Sequence, residues 1–480
     1  MVLTWIDYLV IAAYLVAITT FGSQFARFQK TTRDYFLTGR SVPWWAICFT
    51  IVATETSTLS FIGVPAQSFT GNMAFLQLVM GYILGRIIVS TIFIPAYFKG
   101  DLVTSYELLG RRFGPSIKNF AAVVFLVSRS LADGIRLFAT ALVITVVTQV
   151  PVPWTIVILG TAMIVYTMRG GVSAVIWTDV VQMFVYIAGA LIVAAGALRA
   201  IPGGWNEAVA VGSAAGKFVV FDFSLDVTRT YTLVAGIIGG IALTLATHGT
   251  DQFLVQRLLA GRSAKEAGRG LILSGFIVFA QFVLFLFIGV LLYTYYQTHA
   301  LPPGTRPDQV LATFVVHALP TGVVGFIVAA IVAAALSPSI NAMAATTVND
   351  FYLRYWRKDA DQPTLMRVSH RATIFWGVVQ LCVALGAQWM TQSVLDAGLS
   401  VLSITAGPVL GAFLIGVLTT RVGSAAMLTG MLTGVAVVAT AWWTQACAWT
   451  WYAALGSSVT AGTALLASLV MPARTARSAT

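Results

Sequence analysis

The feature that most narrows what this chain can fold into is a succession of apolar runs, each close to the length that crosses a membrane. A helix needs about 20 mostly apolar residues to span ~30 Å of hydrocarbon, and runs of that size recur along the chain, separated by short polar loops. A transmembrane barrel would instead show ~10-residue segments of alternating hydrophobicity, and that pattern is missing. Only 9% of the residues are charged while 58% are apolar, whereas a water-exposed domain carries roughly 25% charged residues. Lipid must therefore cover most of the surface, and the expected class is an all-α polytopic membrane protein.

Thirteen spans are predicted, at residues 5–25, 44–66, 74–97, 119–147, 154–168, 173–198, 231–256, 271–296, 322–352, 372–390, 396–418, 424–443 and 449–471. Lys and Arg crowd onto alternate loops of this scheme. One side carries Arg27 to Arg40, Lys99 to Lys118, Arg169, Arg257 to Arg269, Arg354 to Arg371, Arg421 and the two tail arginines, while the other carries only Arg199, Lys217, Arg229 and Arg306. The positive-inside rule then puts the N-terminus outside and the C-terminus in the cytoplasm of a cell (inner or plasma) membrane. The same placement explains the net charge of +11 without a nucleic-acid partner, because the cations are dispersed over loops and form no single basic face. The first span lacks a basic leader and is read as a retained helix.

Several chemistries find no support. Cys48, Cys382 and Cys447 are far apart in apolar surroundings and read as packed free thiols. The four histidines have no zinc-site spacing. The Gly216-Lys217 pair is followed by Phe218, so it is no phosphate-binding loop. No cytoplasmic loop has room for a signalling domain. Neither an enzyme nor an organic cofactor is expected, and the partners implied are the bilayer and a small solute, with no obligatory protein partner.

Charges inside the spans carry the functional signal. Arg86, Arg129 and Arg136, with Glu55, Asp133, Asp179 and Asp251, fall within spans or at their ends. Each costs at least ~2.5–3.5 kcal/mol at mid-membrane, so such residues line a polar interior, pair, or mark a transport path. Arg129, Asp133 and Arg136 share one helical face and admit two readings, an internal ion pair with one spare cation or an anion-binding arginine. The second span opens with Ala53-Thr54-Glu55-Thr56-Ser57-Thr58-Leu59-Ser60, and its hydroxyls compete for backbone hydrogen bonds. The seventh holds Gly239-Gly240 and then Thr247-His248-Gly249-Thr250-Asp251-Gln252, read as a second interruption. Unwound backbone at membrane depth is tolerated only where it lines a cavity. Two interruptions five spans apart predict a pair of inverted five-helix repeats with a site between them; the plainer reading is two kinked helices with polar seams.

Three blocks in order then resemble the sodium/solute symporter family, of the glucose, iodide and proline cotransporter type. They are Arg169-Gly170-Gly171-Val172-Ser173-Ala174-Val175-Ile176-Trp177-Thr178-Asp179 with Gln182, then Asp251-Gln252 with Val255-Gln256-Arg257, and Ser339-Ile340-Asn341-Ala342-Met343 with Val348 and Asp350. The resemblance covers nearly the whole chain. It implies an extra N-terminal helix and cytoplasmic loop over 1–43, a first repeat over 44–198, an extracellular loop over 199–230, a second repeat over 231–418, and two extra helices with a tail over 419–480. It also implies uptake of a small polar organic solute by symport with sodium.

Carried over by position, the resemblance places sodium on backbone carbonyls near Ala53 and Thr56 and on two ninth-span hydroxyls. Here those two positions are Ala334 and Ala335, and a hard cation needs oxygen ligands. Pro338 lacks an N–H, which would free the carbonyl of Ala334 as a substitute, or the proline is a kink with no ligand role. Ser337 and Asp179 match two ligands of a second sodium site found in some members. For the solute, the resemblance points to Glu55, Ser57, Ser60, Gln77, Thr247 and His248, joined by Arg129 on the fourth span. Glu55 stands where a neutral polar residue is common, so it could recognise the solute, carry a proton or pair with an arginine. His248 is either a solute or proton ligand or a satisfied structural histidine. Proton-coupled symport and uncoupled facilitation remain the competing functions.

Overall fold

A computed structural model describes residues 3–25, 40–99, 102, 104–167, 172–335 and 339–471. Among them the secondary structure is helical, with an isolated bridge between Val42 and Gly261. The helices that position the site are α1 (Trp5–Phe25), α2 (Trp44–Glu55), α3 (Thr58–Thr70), α4 (Leu76–Lys99), α5 (Ser105–Phe113), α6 (Pro115–Thr148), α7 (Val152–Thr167), α8 (Val172–Ala200) and α9 (Gly204–Ala214). They continue as α10 (Leu233–Thr250), α11 (Gln252–Leu259), α12 (Ala264–Thr298), α13 (Val310–Ala318), α14 (Val323–Ala335), α15 (Ser339–Thr346), α16 (Gln362–Gly386), α17 (Val394–Leu418), α18 (Ser424–Thr444) and α19 (Tyr452–Val470). Ten continuous helices among the described residues are long and apolar enough to cross a membrane, or eleven with α2 and α3 counted as one bent span. Apolar stretches at Val152–Val165 and Val323–Val332 fall short of that length.

The second span breaks where its hydroxyls predicted. Thr54 Oγ1 donates to the Thr50 carbonyl at 2.6 Å and Thr56 Oγ1 to that of Val52 at 2.7 Å. Such back-bonding competes with the helix ladder and bends it. Ser57 leaves the helix with φ −86° and ψ 173°, and α3 departs at 61° to α2.

The seventh span breaks within the second part of the stretch read as its interruption. Gly239-Gly240 lies inside the continuous helix α10, and the interruption falls at Asp251 alone. The glycines serve packing instead. A Cβ on Gly240 would sit 2.3 Å from the Leu78 carbonyl oxygen, and one on Gly81 would sit 2.7 Å from that of Gly236. Small residues let α4 and α10 approach backbone to backbone, where dispersion and close packing replace the missing hydrophobic drive. Arg169, Gly170, Gly171, Ser337 and Pro338 lie outside the described residues.

Two apolar clusters stack along the helices with a polar layer between them. On α6, Leu126 belongs to one cluster and Ile135 to the other, and Ser128, Arg129, Ser130 and Asp133 lie buried between. The same divide falls between Ile51 and Val52 on α2 and between Leu243 and Leu245 on α10. Helix α12 packs on both halves of the broken span, α8 packs on α2, and α17 runs along α6. The break in the chain therefore lies at the level of the polar layer.

Candidate functional site

Beside the break lies a cavity of about 900 Å³ of open space, its mouth included. Glu55, Ser57 and Ser60 reach it from the break, Arg129 and Arg136 from α6, and Thr247 and His248 from the last turn of α10. Leu395, Gly398, Leu399 and Leu402 of α17, with Phe75 and Phe282, supply an apolar part of its lining. Of the residues expected to meet the solute, the structure brings six to this one cavity. Gln77 is the exception. It is fully buried, donates to the carbonyls of Ala74 (3.2 Å) and Tyr231 (3.1 Å), and accepts from the amide of Asp222 at 3.1 Å. The bonds to Tyr231 and Asp222 hold the loop before α10, and Gln77 does not line the cavity.

The cavity's charges are grouped in pairs. Glu55 is bonded to the guanidinium of the fully buried Arg86, and its other oxygen lies 3.2 Å from His248 Nε2. Arg129 donates to Asp251 at 2.6 Å and stacks over the Phe253 ring. Asp133, between the two arginines of its helix, lies 4.0 Å from Arg129 and 3.8 Å from Arg136. The direct partner of Arg129 is thus Asp251, off this helical face, and Arg136 is the looser cation. A charge buried alone is costly, and pairing lets this polar layer exist inside an apolar protein.

The break also rearranges backbone bonds. In a continuous helix the Ser57 amide would serve the carbonyl of Ala53; here it donates to that of Glu55 at 2.8 Å. The Ser60 amide donates to the carbonyl of Ser57 at 3.0 Å and not to that of Thr56. Both residues expected to offer carbonyls to a cation therefore lose their helical partners. The Thr56 hydroxyl itself is engaged, reaching Gln281 at 2.9 Å. Asp179 accepts from Thr50 at 2.8 Å and from Arg257 at 3.0 Å, so its charge is already met. Ala334 falls in the last turn of α14.

Two groups escaped the sequence reading. Tyr82 lines the cavity without any motif to mark it. Asp396, at the start of α17, gathers Gln67 Nε2 at 2.8 Å, Trp449 Nε1 at 3.2 Å and the Tyr231 hydroxyl. That cluster ties α3 to α17 beyond one end of the cavity. Its one advance signal was an acidic residue in the first turn of an apolar helix.

A helix interrupted at the level of a buried polar layer, with a cavity at the break, defines a membrane transporter of the discontinuous-helix class. Comparison with known proteins makes this specific. The chain belongs to the sodium:solute symporter family, whose model matches residues 35–434, and its activity is sodium-coupled solute symport. That weighs against the proton-coupled and uncoupled readings. Among its relatives, the sodium/sialic acid symporter of Proteus mirabilis is 29% identical over 98% of this chain and 96% of its own. That of Aliivibrio fischeri is 30% identical over 90% of this chain and 87% of its own. A solved sodium-coupled sialic acid symporter, in a substrate-bound outward-open state, superposes with a TM-score of 0.88 at 27% identity, covering 97% of this chain and 98% of its own.

Proposed function

We propose that the cavity at the α2–α3 break is the solute site and that sodium binds beside it on the carbonyls of Ala53 and Thr56. The carrying observation is that the break removes the amide partners of those two carbonyls next to a cavity lined by Glu55, Ser57, Ser60, Arg129, Thr247 and His248. Hard monovalent cations take such oxygens. The Ala334 carbonyl, Ser337 and Asp179 complete the proposed ion ligands, with Asp179 sharing its charge between sodium and Arg257. Gln77 acts at one remove, by fixing the loop before α10.

In this reading the short apolar helices at 152–165 and 323–332 also cross the bilayer, which gives thirteen spans. The core is two inverted five-helix repeats, 44–198 and 231–418, joined by the 199–230 loop and flanked by 1–43 and 419–480. The N-terminus faces outward and the C-terminus the cytoplasm of the inner or plasma membrane. Single cysteines at Arg111 and Arg262 should then label only from the cytoplasmic side.

Uptake into proteoliposomes across a solute panel, with and without an inward sodium gradient, tests the function. Concentrative uptake of at least one solute that collapses without sodium supports it, and uptake indifferent to sodium refutes it. Ser60→Trp should fill the cavity and abolish solute binding in a protein that still elutes as a folded species. Native affinity in that variant would place the site elsewhere.

A further inference from the structure

The cavity has two unlike walls, and together they restrict the solute. On α17, Leu395, Leu399 and Leu402 recur at one-turn intervals around Gly398 and all line the space. Phe75 and Phe282, stacked at 5.4 Å between centroids, extend that apolar face. None of these side chains offers a donor or an acceptor. Arg136, on α6, which packs alongside α17, lines the cavity too.

Arg136 differs from the other arginines of the polar layer. Arg86, Arg129 and Arg257 each hydrogen-bond a carboxylate directly. Arg136 approaches Asp133 only to 3.8 Å, and its guanidinium makes no hydrogen bond among the described residues. Its Nε is buried and unpartnered, as are both oxygens of Asp133. The guanidinium lines the cavity with a fork of N–H groups whose geometry matches a carboxylate.

Charge sets the valence. Four arginines (Arg86, Arg129, Arg136, Arg257) face four carboxylates (Glu55, Asp133, Asp251, Asp179) within reach of the cavity and the adjoining ion pair. With His248 neutral the layer carries no net charge. One anion and one sodium ion together preserve that balance. A dianion with one sodium ion, or an organic cation with one, leaves an excess buried charge, which is costly.

We propose that the transported solute is an amphipathic monocarboxylate, its carboxylate held by Arg136 and its apolar body laid on the leucine face of α17. This rests on the reading that this cavity is the solute site. A polyhydroxylated acid would press hydroxyls against leucine, and each left unpaired weakens binding by roughly tenfold.

Binding in sodium buffer, measured calorimetrically on the purified full-length protein in lipid nanodiscs, tests this with four probes: 3-phenylpropionate, its primary amide, phenylsuccinate and N-acetylneuraminate. The acid should bind at least tenfold more tightly than each of the others. Arg136→Gln should lower the affinity for phenylpropionate at least tenfold and leave the weak affinity for the amide unchanged, with partial recovery in Arg136→Lys. Leu399→Ser should weaken phenylpropionate and narrow its advantage over N-acetylneuraminate, which keeps the test open should Arg136→Gln fail to fold. Preference for N-acetylneuraminate, equal binding of acid and amide, or native binding in a folded Arg136→Gln protein would overturn the proposal. Sodium-driven uptake of N-acetylneuraminate without binding of phenylpropionate would overturn it and leave symport standing. Binding of phenylpropionate without sodium-driven uptake of any solute would instead overturn the symport reading.

Discussion

Arg86 is the residue whose removal tests most directly how the polar layer is held. It has no exposed surface, and its carboxylate partner Glu55 is 17% exposed, through the cavity. Arg86→Met keeps an unbranched chain of similar reach and deletes the charge, leaving Glu55 ionised with only His248 at 3.2 Å nearby. Breaking a buried ion pair from one side costs about 3–5 kcal/mol, because the remaining charge has lost its compensation. At 1.4 kcal/mol per decade, the ratio of folded to unfolded protein falls by roughly a hundred- to several-thousand-fold. Glu55→Gln strands the arginine and should cost a similar amount. The double variant Glu55→Gln/Arg86→Met carries no charge at either place and should cost far less than the two single changes combined.

Equilibrium unfolding in mixed micelles of mild detergent and sodium dodecyl sulfate, at pH 7.5, measures all three. An Arg86→Met cost below about 1 kcal/mol, or a double variant as costly as the two single changes added, would refute the argument that pairing holds this layer together.

Further outcomes follow from other parts of the molecule. Asp308, in the segment before α13, is pushed above the ordinary carboxylate range chiefly by burial; the native state then holds its proton more tightly than the unfolded chain, so its contribution to stability is greatest in acid and is lost as the pH rises through the raised value. Asp308→Asn should therefore unfold later than the native protein at pH 8 and together with it below pH 3.8, as thermal scans at the two pH values would show. Lys217 Nζ donates to the last carbonyls around α3, Phe69 at 2.7 Å and Gly71 at 2.9 Å, so Lys217→Ala should cost about 2 kcal/mol in the same micelle assay, with Lys217→Arg recovering at least half. Ala334→Ser with Ala335→Thr supplies two hydroxyl oxygens and should lower the sodium concentration for half-maximal uptake at least threefold; an unchanged value, with coupling lost in Pro338→Ala, would assign the ligand role to the Ala334 carbonyl instead.

The parts of this architecture that were legible in the sequence are those set by local chemistry. Apolar runs announced the helices, and the cluster of hydroxyls at 54–60 announced the first break because the competing hydrogen bonds are made within four residues. The second break falls inside the expected Thr247 to Gln252 stretch, but Gly239-Gly240 takes no part in it, because glycine has two uses that composition alone does not separate. It can end a helix, or it can let a second helix approach, and only the partner backbone at Leu78 decides which. The place of Gln77 was hidden for the same reason. A buried amide is as well suited to a loop carbonyl as to a solute, and Tyr231 and Asp222 lie 154 and 145 residues away in the chain. The pairing of Arg129 with Asp251, 122 residues apart, was likewise invisible, so the helical face of Arg129 and Arg136 could not be divided into a structural cation and an open one.

The two breaks are also chemically unequal, and the difference bears on where an ion can bind. At the seventh span the backbone is closed by side chains. Asp251 caps α11 by accepting from the Phe253 amide at 2.8 Å, Ser105 Oγ donates to the Thr250 carbonyl at 3.0 Å, and the Tyr97 hydroxyl donates to that of Gly249. At the second span Ser57 caps α3 with no side-chain bond, and no such donor meets the carbonyls of Ala53 and Thr56 among the described residues. A buried carbonyl without a donor costs free energy unless something else supplies positive charge. The protein has met that requirement with its own hydroxyls at one break and left it unmet at the other. An interrupted helix is thus not by itself an ion site: the sodium site proposed at Ala53 and Thr56 rests on side chains that leave the hydrogen bonds there unfinished.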